Sequence, residues 1–249
     1  EALSVYHRHP SCDFLFCGRR LFGLQDAVLL PYPNDRDFGY SVLSTAHHHR
    51  WIGAATSCLS MRRTVLNKVL PIPFVEDWRV RADDCLVFGS SLAPARKRYL
   101  AQPLLRYRVH QNNSYHGKLI DQSSTYRRRL AINRLFQYLE GELGYNFERL
   151  TECHHREFCT IESPTFQQLA DYFSIGRSAR ISVGRRMACC VAMIRHYLGA
   201  KWRGNLDAVA RDAEASEDPV TLPFAALAIP GEIAPRLSPT TPHRQRRAA

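Results

Sequence analysis

No apolar run in the chain approaches the roughly 18 residues that a bilayer-spanning helix needs, so a transmembrane segment is not expected. Cys-x-x-Cys pairs are missing as well. The cysteines at 12, 17, 58, 85, 153, 159, 189 and 190 follow no zinc-site or thioredoxin-type spacing, and no leader-like stretch precedes them. They are expected to be mostly buried free thiols in a reducing, cytoplasmic compartment. The Gly-x-Gly-x-x-Gly fingerprint, the P-loop, His-Glu-x-x-His and Gly-x-Ser-x-Gly are not found, which removes the simplest nucleotide-binding, metalloprotease and serine-hydrolase readings. There is no internal repeat.

Acidic residues are in short supply: 23 against 34 basic ones, for a net charge of +11 with histidine neutral. Much of the excess sits late, in Arg127–Arg129, Arg185–Arg186 and the RQRR string at 244–247. Such a balance favours anionic partners. Nucleic acid is the weaker candidate, because neither zinc-finger spacing nor an aromatic RNA-binding strand pair accompanies the charge. A helix near 179–200, with arginines interrupting an apolar surface, could equally lie against the inner face of an anionic membrane.

What is present is enough for a core: 249 residues, 45% of them hydrophobic. CDFLFCG (12–18) and DAVLLPYP read as strands, the second leading into the polar loop NDRDFG. TSCLSMRRTVLNKV reads as a core strand passing into a helix that Pro71 and Pro73 end. ADDCLVFGSSLA reads as a helix with acidic residues at its start, and KRYLA and LLRYRVH as two short strands around Gln102 and Pro103. Strands alternating with helices over the first 115 residues imply an α/β arrangement. Helices are then expected over QSSTYRRRLAINRLFQYLEGEL, SPTFQQLADYFS and ARISVGRRMACCVAMIRHYLGAKW, the first with an apolar stripe of Tyr126, Leu130, Ile132, Leu135, Phe136 and Leu139. The expected division is 1–118, a helical extension at 119–213, and a proline-rich, disordered tail at 214–249.

Asp83 and Asp84 lead the catalytic candidates. A carboxylate at a helix start can be held rigidly enough to accept a proton from an attacking hydroxyl; the competing reading is a helix cap. Arg108 and His110 can donate to phosphate, and His110 could also ligate a divalent ion; the competing reading is a solvated edge strand. Thr56 and Ser57, with Arg62 and Arg63 behind them, are small residues that permit close ligand approach, or a tightly packed strand before a basic helix start. The His47–His49 triplet is expected in a loop rather than around a metal. Asp35 and Asp37 have the Asp-x-Asp spacing that can share an ion with a diphosphate, though PYPN separates them from the apolar run.

TSCLSMRRTVLNKV, EDWRVRADDCLVF and LLRYRVHQNNS, in this order and spacing, resemble the family 2 inverting glycosyltransferases. The likeness covers roughly residues 10–116. It implies an incomplete GT-A-type nucleotide-sugar transferase sheet with a C-terminal helical extension, a nucleotide-diphosphate sugar donor, a glycan or other hydroxyl acceptor, and Mg²⁺ or Mn²⁺ as cofactor. By the resemblance Asp83 is the base, with Leu86 at the family's offset, and Asp84 is the close alternative. Ala82 stands where the pattern has Glu. Thr56, Ser57, Arg62 and Arg63 fall beside the donor and acceptor pocket, and Tyr107, Arg108, His110 and Asn113 at the diphosphate. The family's nucleotide-binding strands and metal-binding Asp-x-Asp would precede this segment, and residues 35–37 come too late for that role. The chain taken alone is therefore expected to be inactive or weak. The rival readings are a non-catalytic basic module that binds anionic membrane or polynucleotide through its C-terminal helices, and a phosphate-handling hydrolase using the paired aspartates.

Overall fold

The computed structural model describes residues 2–79, 81–111 and 121–215, with side chains to Gly204 in the last helix. The chain divides into a compact unit, Glu1–Glu217, and a segment, Asp218–Ala249, that lies outside the described residues together with most of the expected tail.

After α1 (Ala2–Arg8), strand β1 (Phe14–Gly23) forms the middle of a mixed sheet. Its first five residues are buried, as expected of an apolar strand covered on both faces. One edge of β1 is shared. β4 (Leu59–Met61) pairs antiparallel with Phe14–Phe16, and β2 (Ala27–Leu29) pairs antiparallel with Arg19–Leu21. The other edge takes β5 (Lys97–Val109) in parallel, and β3 (Arg36–Gly39) closes the far side antiparallel to β5.

Several expectations need correction. KRYLA and LLRYRVH are one strand, not two: β5 is continuous through Pro103, with a bulge where the register jumps from Cys17 opposite Leu100 to Gly18 opposite Pro103. The missing N–H of proline is tolerated where the ladder slips, and Gly18 is required there because a Cβ would strike Leu30 and the Leu29 carbonyl. NDRDFG is not simply a loop, since Arg36–Gly39 is β3. The histidine triplet is not in a loop either: α2 (Val42–His48) contains His47 and His48, and His49 ends it in the left-handed region at φ 49°.

A 3-10 turn at Thr56–Cys58 leads into β4, so the core strand expected at TSCLSM is shorter and begins after Thr56 and Ser57. α3 (Arg63–Val69) stops before the prolines, and α4 (Ala82–Leu92) carries the paired aspartates. α5 (Gln122–Leu143) starts at Asp121, whose side chain accepts from the Ser124 N–H, and ends at Gly144 with φ 65°. Within it Ile132, Leu135 and Leu139 are buried whereas Tyr126 and Leu130 are exposed. The short helices α6 (Phe147–Leu150) and α7 (His154–Phe158) lead to α8 (Phe166–Ser178), whose Thr165 and Gln168 form a capping box, and to α9 (Val183–Ala215).

The segment after residue 118 shares cores with the earlier elements. Ile132, Leu135 and Leu139 of α5 pack with Val69, Trp78, Phe88 and Leu92. Leu43 of α2 packs with Phe158, Leu169, Tyr172 and Met193. Polar ties reinforce this second union. The Glu157 carboxylate accepts from the Leu43 N–H at 2.9 Å, the Ser44 N–H at 3.4 Å and the Tyr172 hydroxyl at 2.6 Å, and so satisfies the otherwise orphaned start of α2.

Candidate functional site

Neither aspartate is the N-cap of α4. That position is Arg81, which makes no side-chain cap, and Asp83 and Asp84 occupy the first turn, where the helix dipole favours negative charge. Their environments differ. Asp84 is buried and its two oxygens accept from Arg128 of α5, Nε at 2.6 Å and Nη2 at 2.8 Å, while Arg81 stands 3.7 Å away. This forked pair spans α4 and α5 and raises the pKa of Arg128 further. Asp83 is half-buried, and one of its oxygens accepts from the Asp84 N–H at 3.1 Å. Its pKa is raised, first by burial and then by the neighbouring Asp84 carboxylate. The two acids have thus separated into a sealed, ion-paired group and a partly open one.

The Thr56–Cys58 turn packs against β1, β5 and α4. Thr56 and Ser57 are exposed, as is Arg63 at the start of α3. Arg62 faces the N-terminal segment, donating from Nε to the Cys12 carbonyl and from Nη2 to the Pro10 carbonyl, both at 2.8 Å, with its guanidinium 5.1 Å from the centre of the Tyr6 ring. Its role in the structure is that of a clamp on the chain before β1.

Lys97 fixes the same neighbourhood and has no counterpart among the residues that the sequence singled out. Fully buried, its Nζ donates to the Ile52 carbonyl at 3.0 Å and the Val87 carbonyl at 2.7 Å, so it joins the loop before the Thr56 turn to the second turn of α4. Burial pushes its pKa well down. The amine has enough N–H donors for both carbonyls in either protonation state. The Phe14 ring, 4.4 Å from Nζ, favours the cation, but such a contact is small beside full desolvation.

Arg108 and His110 lie elsewhere, at the end of β5. With Gly23, Leu24, Val109 and Gln111 they line a cavity of about 360 Å³. On β1 the partner of Leu59 is Phe16 and the partner of Arg108 is Phe22, and the antiparallel register of β4 leads the Thr56 turn from Phe16 towards that end of β1. Asn113 lies outside the described residues.

No group of three or more metal-ligating side chains occurs among the described residues. Among the described residues, His110 is the one side chain of that kind lining its cavity. Asp35 and Asp37 are already engaged. Asp35 accepts from the Ala101 N–H at 2.7 Å, capping the β5 bulge, and buried Asp37 holds Arg96 at 3.1 Å and Arg98 at 3.0 Å.

A further cleft had little signature in the sequence. About 340 Å³ in volume, it lies between β3, the end of α2 and α8, and its walls include Tyr32, Arg36, His48, Arg50, Trp51 and Asp171. Arg50 grips Asp171 with two 2.8 Å bonds. Arg36 stacks near Tyr32 and Phe38 and donates to Gln168 at 2.9 Å. The alternation of aromatic and basic residues in PYPNDRDF and HHHRW was its only sequence signal.

Comparison with known proteins found no match: no family profile, no curated protein and no solved structure is significantly similar to the chain.

Proposed function

We propose that this chain is the acceptor-activating part of an inverting glycosyltransferase, with Asp83 as general base. The observation that carries the reading is the division of labour at the start of α4. Asp84 is neutralised by Arg128, whereas Asp83 stays partly open with a raised pKa. A stronger carboxylate base at a rigid helix start is what deprotonating a hydroxyl requires. The Thr56 turn packed against α4 and the order of the three sequence motifs add support. A GT-A-type sheet, a cytoplasmic site of action, a nucleotide-diphosphate sugar donor and a glycan acceptor belong to the same proposal.

In this mechanism the acceptor hydroxyl gives its proton to Asp83 as its oxygen attacks the anomeric carbon. The bond to the nucleoside diphosphate breaks on the opposite face, and configuration inverts. Lys97 acts indirectly, by holding the Ile52 loop against α4. Arg128 holds Asp84 in a buried ion pair at the start of the same helix.

The test uses the full-length gene product, a panel of nucleotide-diphosphate sugars and a pooled oligosaccharide acceptor, with release of nucleoside diphosphate as readout. Release should require acceptor and should vanish in Asp83→Asn while donor binding and circular dichroism are retained. Undiminished turnover in Asp83→Asn would falsify the assignment. Release without acceptor would favour a hydrolase.

A further inference from the structure

α9 has two apolar faces. Cys189, Met193 and Ala200 are buried, with Met193 in the core shared by α7 and α8. On the far side Val183, Met187, Val191, Ile194, Leu198 and Trp202 are between 42% and 74% exposed. At about 100° per residue these six fall within an arc of roughly 100° and run roughly 29 Å along the axis. A continuous exposed stripe of this kind marks an interaction surface, unlike scattered single residues.

Charge identifies what covers it. From Val183 to Gly204 the helix contains Arg185, Arg186, Arg195, Lys201 and Arg203 and no acidic residue. On the helical wheel Lys201 stands at one edge of the stripe and Arg195 just beyond the other. Basic side chains bordering an apolar stripe can reach up to phosphate groups while their stems stay in the apolar layer, and Trp202 supplies an indole suited to a lipid–water boundary. A second copy of the chain would set cation against cation. Among the described residues no helix is long and apolar enough to cross a membrane, so contact in the plane of the surface is the geometry that fits.

We infer that α9 docks through this stripe, lying flat on the surface of an anionic lipid bilayer. The inference does not depend on Asp83 or on sugar transfer. The basic charge of α9 draws the helix to the headgroups, and burial of the stripe then holds it there.

The whole chain is mixed with sedimentable vesicles of equimolar phosphatidylcholine and phosphatidylglycerol, and separately with phosphatidylcholine alone. Binding should occur on the anionic vesicles, weaken as salt is raised, and fall by roughly tenfold or more in Leu198→Glu and in Val191→Glu. Both positions are solvent-exposed, and circular dichroism checks that the variants fold. Arg195→Gln combined with Lys201→Gln should weaken binding while leaving the fold intact. The inference is overturned if the wild type ignores anionic vesicles, if it binds neutral vesicles equally well, if binding survives Leu198→Glu, or if the stripe variants instead abolish a dimer in lipid-free solution.

Discussion

Asp83 carries a cost that its proposed role explains. Because the folded state raises its pKa, the native protein binds a proton there more readily than the unfolded chain, and stability falls as pH rises above the unfolded value of about 3.9. Asp83→Asn should therefore melt at a higher temperature than the wild type at neutral pH, and the gain should disappear below about pH 3.5, where both states are protonated. Thermal melts across that range read both limbs. Asp84 depends on its ion pair: Arg128→Ala strands a buried carboxylate with Arg81 3.7 Å away, at an expected cost of about 3 kcal/mol in urea unfolding. Arg81→Ala, which leaves the forked pair intact, should cost less than about 1 kcal/mol. The position of the two acids in a first helical turn was readable in the sequence. Which of them is neutralised was not, since Arg128 lies 44 residues further on and reaches Asp84 only through the packing of α5 on α4.

At the scale of elements, local signals were legible and pairings were not. The prolines after α3 and the apolar spacing of α5 act within a few positions, so their helices stand close to where the pattern put them. Pro103 suggested a break in β5 because a proline's effect depends on what lies opposite it. Here that is Gly18 at the bulge. Asp35 and Asp37 show the same limit: the spacing was visible, but its use by the Ala101 amide and by Arg96 and Arg98 depends on β3 lying beside β5. Lys97 offers the sharpest test at this scale. Its lowered pKa means the unfolded chain binds more protons, so stability should rise with pH from the folded pKa up to about 10.4. Lys97→Met should flatten that rise below about pH 10 in denaturant titrations.

For the whole molecule, the first 118 residues depend on the later helices. The core around Trp78 and Phe88 is completed by α5, and the start of α2 by Glu157. A fragment of residues 1–118 should fail to give a cooperative thermal transition, whereas the whole chain should give one. The sequence showed a change of texture near 118, from alternating strands and helices to helices alone. It did not show that the later helices finish the earlier cores, because periodicity reports that a face is apolar and not which partner covers it.

Lys97 has one more consequence, in time rather than in energy. A single amine holds both the Ile52 carbonyl and the Val87 carbonyl, so the loop and the helix cannot loosen independently. Amides of residues 52–58 and of the first turns of α4 should exchange with solvent deuterium as one cooperative unit. In Lys97→Met the two sets of protection factors should separate, with the loop opening first.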